Sequence, residues 1–370
     1  MSTPSRKLEH IDIVLTESVE GPGSTWFEHV HLIHRAVPEI DFDEVRIEVS
    51  FLGKKLKAPI VITGMTGGHA DVAHVNKAIA EAAEELGIAM GVGSQRAALE
   101  DPSRVESFSI ARRVAPNAVI IANLGAPQLV KGYGVGEVRR AIEMIDADAI
   151  AIHLNAAQEV IQPEGEPTFR KVVERIEHIA SAIDKPVIIK ETGCGLSMEA
   201  VDELRRIGIK IFDVSGYGGT NWVLVEKYRA IRKGEELKAA IAEDLSLWGI
   251  PTAASIIEAR YAAPDATLIG SGGVRTSLDA AKTLALGADL VGIAKPALEA
   301  YYSGKLKLYL KSLIHGIKAA IFLTGSRSID ELREKPVVIT GPLREWMIER
   351  RIDREAYETA RRKTIAKGIL

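Results

Sequence analysis

Asp148-Ala-Ile-Ala-Ile-His153-Leu-Asn155-Ala-Ala-Gln158-Glu159 is a short apolar run that ends in a cluster of polar groups. Strand side chains alternate between faces, so a strand here points His153 and Asn155 one way and Ile150, Ile152 and Leu154 the other. Gln158 and Glu159 follow closely enough to turn back over the same end. An imidazole, two amides and a carboxylate at one strand mouth suit a polar, anionic, metal-bound ligand. A lone His in such a place is more often a satisfied core residue. Four polar groups at the carboxyl end of one buried strand favour a site.

The same pattern recurs along the chain. Runs at Pro59–Gly64, Ile88–Val92, Ala118–Ala122, Pro186–Ile189, Ile209–Val214, Ala266–Ile269 and Leu290–Ile293 join Ala149–Ile152 as predicted strands, each apolar on both faces. That is how parallel strands covered on both sides read. Helical patterns such as Val72–Leu86, Gly136–Ile145, Thr168–Ile183 and Leu278–Leu286 alternate with them. Eight βα units predict the α/β class and a (β/α)8 TIM barrel. The rival, a six-stranded doubly wound sheet, would leave two strands unassigned. One domain is expected over 1–370, with an amino-terminal extension at 1–57 and a barrel core at 58–327. Within the core, 217–249 reads as an inserted lid or interface after strand six, and 328–370 reads as a solvated, mixed-charge helical tail.

Composition narrows the classes. The 370 residues are 46% hydrophobic and 26% charged, with a net charge of −3, so no electrostatic case exists for nucleic acid or an anionic membrane. No apolar run approaches the roughly 18 residues of a membrane span, and Met1–Lys7 has no apolar signal core, so the chain reads as cytoplasmic. Cys194 is the only cysteine and lies in Thr192-Gly-Cys-Gly195, a glycine turn rather than a nucleophile site. Five Asn and four Gln in the whole chain suggest a thermophilic source.

A barrel keeps its chemistry at the carboxyl ends of its strands. Polar and glycine-rich segments collect there: Thr63-Gly-Met-Thr-Gly-Gly68, Gly91-Val-Gly-Ser-Gln-Arg96, Asn123-Leu-Gly125, Lys190-Glu-Thr192, Ser215-Gly-Tyr-Gly-Gly-Thr220, Gly270-Ser-Gly-Gly-Val-Arg275 and Gly292-Ile-Ala-Lys295. The glycines after strands seven and eight stand where barrels commonly hold a phosphate, of either a substrate or a flavin mononucleotide. Met65, Thr66, Gly67, Asn123 and Lys190 suit the polar edge of a flavin ring, with the Lys stabilising its reduced, anionic form. A plain ion pair is the bland reading of Lys190. Arg6 and Lys7, with Arg96, could converge on a diphosphate if the extension folds over the barrel mouth, and Glu159 could carry a Mg2+ bridging its oxygens.

Arg6-Lys-x-Glu-His10, Met65-Thr-Gly-Gly68, Gly93-Ser-Gln-Arg96, His153-Leu-Asn-x-x-Gln-Glu159, Ser215-Gly-x-Gly-Gly-Thr-Asn-Trp222 and Gly270-Ser-Gly-Gly273 stand in this order, and together they resemble the type 2, flavin-dependent isopentenyl diphosphate isomerases. The likeness spans about residues 6 to 326. It implies interconversion of isopentenyl and dimethylallyl diphosphate with reduced FMN and Mg2+, NADPH serving as reductant, and a homo-oligomer, tetramer or octamer. By that likeness Met65, Thr66, Gly67, Ser94, Asn123, Lys190, Ser215 and Thr220 would hold the flavin. Gly272, Gly273, Ala294 and Lys295 would take its phosphate. Arg6, Lys7, Ser94, Arg96, His153, Asn155 and Gln158 would hold the diphosphate substrate, and Glu159 the metal.

A 1,3-proton shift on an unactivated alkene needs an acid close by and an electron-rich, dry wall. Besides the flavin and Lys190, the candidates are Gln158, Trp222 and Glu226. Trp222 would offer an aromatic face to a cationic intermediate, although packing is the equal alternative. Glu226, one helical turn on, could relay a proton or form a surface salt bridge. A second class, an FMN-dependent 2-hydroxy-acid oxidoreductase on the same barrel, would use a His–Arg pair after strand six, where Ser215–Thr220 has neither residue. A flavin-free phosphate-binding barrel would leave Met65–Gly68 and Lys190 without a purpose.

Overall fold

A computed structural model describes residues 3–362, with side chains from Lys7 onward. The barrel strands are β1 (Ile60–Ile62), β2 (Ala89–Gly91), β3 (Ile120–Gly125), β4 (Ala149–His153), β5 (Val187–Lys190), β6 (Ile211–Asp213), β7 (Thr267–Gly270) and β8 (Leu290–Ile293). They pair in parallel in chain order, and β8 returns to β1 to close the barrel. The fold is the expected (β/α)8 barrel, and the open sheet is excluded.

Alternation along each strand splits its residues between two apolar clusters. Val61, Ala89, Ile121, Ala151, Ile188, Ile211, Ile269 and Leu290 fill the barrel interior. Their neighbours Ile62, Met90, Ile120, Ile150, Ile189, Phe212, Leu268 and Val291 face the surrounding helices. The strand β3 runs past the predicted Ala122 to Gly125, because Asn123 and Gly125 stay in register with Ala151 and His153 of β4.

The extension works at both ends of the barrel. A hairpin, Val49–Phe51 with Lys54–Leu56, buries Phe51 and Leu56 against the interior layer and plugs the amino-terminal end. Its turn residues Leu52 and Gly53 have φ of 51° and 73°, the left-handed pair a tight hairpin requires. The helix Thr3–Thr16 instead packs on the helix Trp222–Arg232 of the insertion, at the opposite, carboxyl end.

The tail departs from the solvated reading. Val337–Ile339 pairs antiparallel with Val30–Leu32 of the extension. Within Arg354–Arg362, Tyr357 and Arg361 are wholly buried. The Arg361 guanidinium donates to the carbonyls of Ala285 at 3.2 Å, Arg333 at 2.6 Å and Lys335 at 2.9 Å, and Tyr357 Oη donates to Leu286 O at 3.0 Å. A charge-rich helix can dock in this way because backbone carbonyls satisfy the buried cation.

Candidate active site

The carboxyl ends of all eight strands surround one cleft, with about 1450 Å³ of empty space including its open mouth. Met65, Ser94, Asn123, Lys190, Ser215, Thr220, Gly272, Gly273, Ala294 and Lys295 line it, and so do Lys7, Arg96, His153, Asn155, Gln158, Glu159 and Trp222. The predicted flavin-type and diphosphate-type residues therefore share one cavity.

Three predicted residues stand off the wall. Thr66 and Gly67 lie behind it: the Thr66 carbonyl accepts from Gly93 N at 2.8 Å, and a side chain at Gly67, where φ is 141°, would strike the Phe108 ring. Thr66 Oγ1 is buried without a hydrogen-bond partner. Glu226 is fully buried one layer back, reached through Gln158. The Arg6 side chain lies outside the described residues.

The strand β4 ends as its sequence implies. Asn123 Nδ2 donates to Val92 O at 3.1 Å, which leaves its Oδ1 to accept from His153 Nδ1 at 2.7 Å. Asn155 precedes the helix Ala156–Ile161 and turns its Nδ2 to Glu159 Oε1 at 2.9 Å and to Gln158 Oε1 at 3.3 Å. Glu159 Oε2 accepts from Glu166 N at 2.7 Å. Asn155 Oδ1, on the cavity wall and buried, has no partner. An orphaned acceptor beside a fixed carboxylate fits a ligand bearing a donor or a hydrated cation. Among the described residues no group of three or more His, Cys, Asp or Glu could hold a metal, so Mg2+ fits here only where ligand oxygens complete its shell.

Lys190 has the ion-pair partner that its bland reading requires, on the neighbouring strand. The last residues of β5 and β6 are in register, and Lys190 Nζ lies 3.2 Å from Asp213 Oδ2 and donates to Glu191 O at 3.0 Å. Ser271 Oγ donates to the other Asp213 oxygen. The pair holds the ammonium on the cavity wall, where it can meet a second anion. The Glu191 side chain faces away and accepts from Thr192 N at 2.6 Å and Gly195 N at 3.1 Å; burial nonetheless pushes its carboxyl up to about 7. Burial and the nearby Glu191 raise the Cys194 thiol, which is inert, as its sequence context implied.

The loops after β7 and β8 make a cradle. Gly272 and Gly273 have φ of 102° and 68°, and a Cβ on either would lie 2.2 Å or 2.4 Å from the carbonyl oxygens of Gly216 and Gly218. The helix Lys295–Tyr302 starts at the cavity wall, and its N-cap Ala294 offers its N–H groups no side-chain acceptor. Backbone donors and a helix amino terminus together fit a phosphate group.

Behind the wall runs a buried polar chain. His10 Nε2 donates to Glu226 Oε1 at 2.9 Å, Gln158 Nε2 donates to the same oxygen at 2.8 Å, and Arg229 Nη1 lies 2.7 Å from Oε2. Burial works to raise the Glu226 carboxyl, but His10 and then Arg229 and Gln158 outweigh it and hold it below the usual carboxylate range. Trp222, on the cavity wall, meets the His10 ring edge-on at 5.1 Å. His10, Arg275, Gln128 and Gln162 also line the cavity without a role assigned from sequence. The two glutamines could have been suspected from scarcity, since five of the chain's nine Asn and Gln residues line this wall.

A glycine cradle that fits a phosphate, at the carboxyl end of a closed barrel, marks an α/β-barrel enzyme for phosphate-bearing molecules, and residues 102–339 match the FMN-dependent dehydrogenase family. A lactate oxidase from Pediococcus acidilactici superposes with a TM-score of 0.65 at 16% identity, covering 92% of this chain and 96% of that one. A mandelate oxidase gives 0.62 at 17%, covering 89% and 95%. These two likenesses show the fold alone. The chain is 57% identical to the isopentenyl-diphosphate delta-isomerase of Ignicoccus hospitalis, covering 96% of this chain and 99% of that one. It is 52% identical to that of Aeropyrum pernix, covering 96% and 95%, and 51% identical to that of Sulfurisphaera tokodaii, covering 99% of each. The chain belongs to the isopentenyl-diphosphate delta-isomerase family.

Proposed function

We propose that this chain interconverts isopentenyl and dimethylallyl diphosphate, using reduced FMN and Mg2+. The observation that carries the reading is the Asn123–His153 hydrogen bond of 2.7 Å, which joins a flavin-type wall to a diphosphate-type cluster in one cleft. Met65, Ser94, Asn123, Lys190, Ser215 and Thr220 would hold the ring, supported from behind by Thr66 and Gly67. Gly272, Gly273, Ala294 and Lys295 would take the phosphate. When bound, reduced FMN supplies an electron-rich face and a proton-carrying ring nitrogen to the alkene.

The chain's own residues bind, orient and exclude water. Lys7 and Arg96, with Arg6, would offset the diphosphate charge, His153 would hydrogen-bond to it, and Asn155 and Glu159 would hold the Mg2+ that accompanies it. In the structure Arg96 leans on Glu100 at 2.7 Å, a surface carboxylate that a more highly charged diphosphate can displace. Trp222 turns an aromatic face to positive charge developing on the hydrocarbon. Glu226 fixes the Gln158 amide, and its Oε1, shared with His10, is the atom able to accept a proton passed on from the cavity. Substrate and product are isomers, so no electrons are consumed and NADPH serves only to prime the cofactor.

Two further parts belong to this reading. A homo-oligomer, tetramer or octamer, would cover the exposed Ile231, Leu237, Leu247 and Trp248 of the insertion. The site of action would be the cytoplasm; among the described residues no helix is long and apolar enough to cross a membrane. Feeding the purified protein isopentenyl diphosphate in one arm and 2-hydroxy acids in the other tests the reading against the oxidoreductase class. Isomerisation without hydroxy-acid oxidation is expected, and the reverse would overturn it.

A further inference from the structure

The phosphate cradle carries a carboxylate that its chemistry does not require. Glu20 Oε1 accepts from Arg275 Nη2 at 2.8 Å and Nε at 3.3 Å, and from Lys295 Nζ at 3.2 Å. Arg275 and Lys295 both line the cleft beside Gly272, Gly273 and Ala294. Lys295 also meets Glu299 at 3.5 Å. Burial works to raise the Glu20 carboxyl, and its bonds to Arg275 and Lys295 bring it below the usual range.

Backbone contacts hold Glu20 in place. It bridges Thr220 in antiparallel fashion, and Asn221 N donates to Val19 O at 2.8 Å. The following Gly21 and Gly23 sit against Tyr217, where a side chain would strike the phenol. A single exposed ion pair contributes little, but here one side-chain oxygen, on a residue whose backbone is held, joins cations from two different cradle loops.

The cleft has a selectivity problem. It must hold the phosphate monoester of a flavin at one end and a more highly charged diphosphate at the other, and a strongly cationic cradle would favour the diphosphate. We propose that Glu20 is a specificity residue that lowers the cradle's positive charge, so that it accepts the cofactor's monophosphate and rejects the substrate's diphosphate. With Glu20 in place the three side chains sum to one positive charge; without it they sum to two, and the more highly charged anion gains more. This rests on the FMN reading above.

The test is titration of flavin fluorescence quenching at low ionic strength, where screening is weakest, with inorganic diphosphate as competitor and no Mg2+. In Glu20→Gln, inorganic diphosphate should displace FMN at a concentration about fivefold lower than in the native protein, because both anions gain from the freed cations and only the extra charge of the diphosphate counts in the competition. Riboflavin, which leaves the cradle open, should not be displaced in either protein. Equal displacement in the two proteins, or displacement of riboflavin as well as FMN, overturns the proposal. If Glu20→Gln does not fold, Arg275→Gln is the second variant: it should weaken FMN while riboflavin binds as before, and equal losses for both flavins overturn the proposal. A native protein that binds no flavin overturns the functional reading itself, and this inference with it.

Discussion

Gln158 Nε2 donates to Glu226 Oε1 at 2.8 Å, joining a residue of the cavity wall to a carboxylate with no solvent exposure. His10 reaches the same oxygen from the amino-terminal helix at 2.9 Å, so three distant segments meet at one atom. The carboxylate is compensated by His10 and Arg229, which keep it ionised despite burial. Glu226→Gln should reduce turnover by roughly 10²–10⁴-fold, the usual contribution of a proton-handling group, with flavin still bound. The same substitution should show a definite pH signature. A carboxyl held below its ordinary value stabilises the fold above that value, and this contribution is lost as pH falls through the lower, folded-state value. The variant should therefore unfold more readily than the native protein at neutral pH, with the gap closing in acid. Denaturant midpoints across pH check this, and a gap that widens in acid would contradict it.

Glu159→Gln should weaken Mg2+-dependent activity and leave the flavin in place. The carboxylate sits among Asn155, Gln158 and the Glu166 amide, in the diphosphate cluster rather than the cradle. An amide in its place loses the charge a hard cation requires. A Mg2+ titration of turnover, with flavin absorbance followed in the same samples, separates the two. Loss of flavin with an unchanged Mg2+ requirement would show the role to be misassigned.

Removing residues 1–8 should raise the Michaelis constant for isopentenyl diphosphate at least tenfold, because two charge-assisted contacts of roughly 1.5–3 kcal/mol each disappear. FMN affinity should hardly change. The truncation spares the anchors of the helix, since Glu9 still meets Arg229 at 2.9 Å and His10 still meets Glu226. An unaltered Michaelis constant would make the terminus a solvated end.

The barrel was legible because its strands are buried on both faces and written mostly in apolar residues, with polar groups gathered at their exits. The gathering of His153, Asn155, Gln158 and Glu159 at the cleft was legible for the same reason, since four polar groups follow closely at the exit of one buried strand. The tail was misread because Tyr357 and Arg361 lie in a run of charges, and their burial is explained by backbone carbonyls brought around them from elsewhere in the fold and by the Glu358 carboxylate beside Arg361. The plug was missed because Phe51 and Leu56 belong to strands of three residues, too short for a periodic signal. Glu20 and Arg275 lie 255 residues apart, and one carboxylate in an extension offers no pattern until the fold brings the two together.

The central claim is that a flavin in its reduced state supports isomerisation in this cleft. Its most direct measurement is anaerobic conversion of isopentenyl diphosphate by the purified protein with Mg2+, comparing reduced FMN, oxidised FMN and flavin-stripped samples. Dimethylallyl diphosphate should form only with FMN reduced by NADPH or dithionite. Equal turnover after the flavin is stripped away would contradict the account.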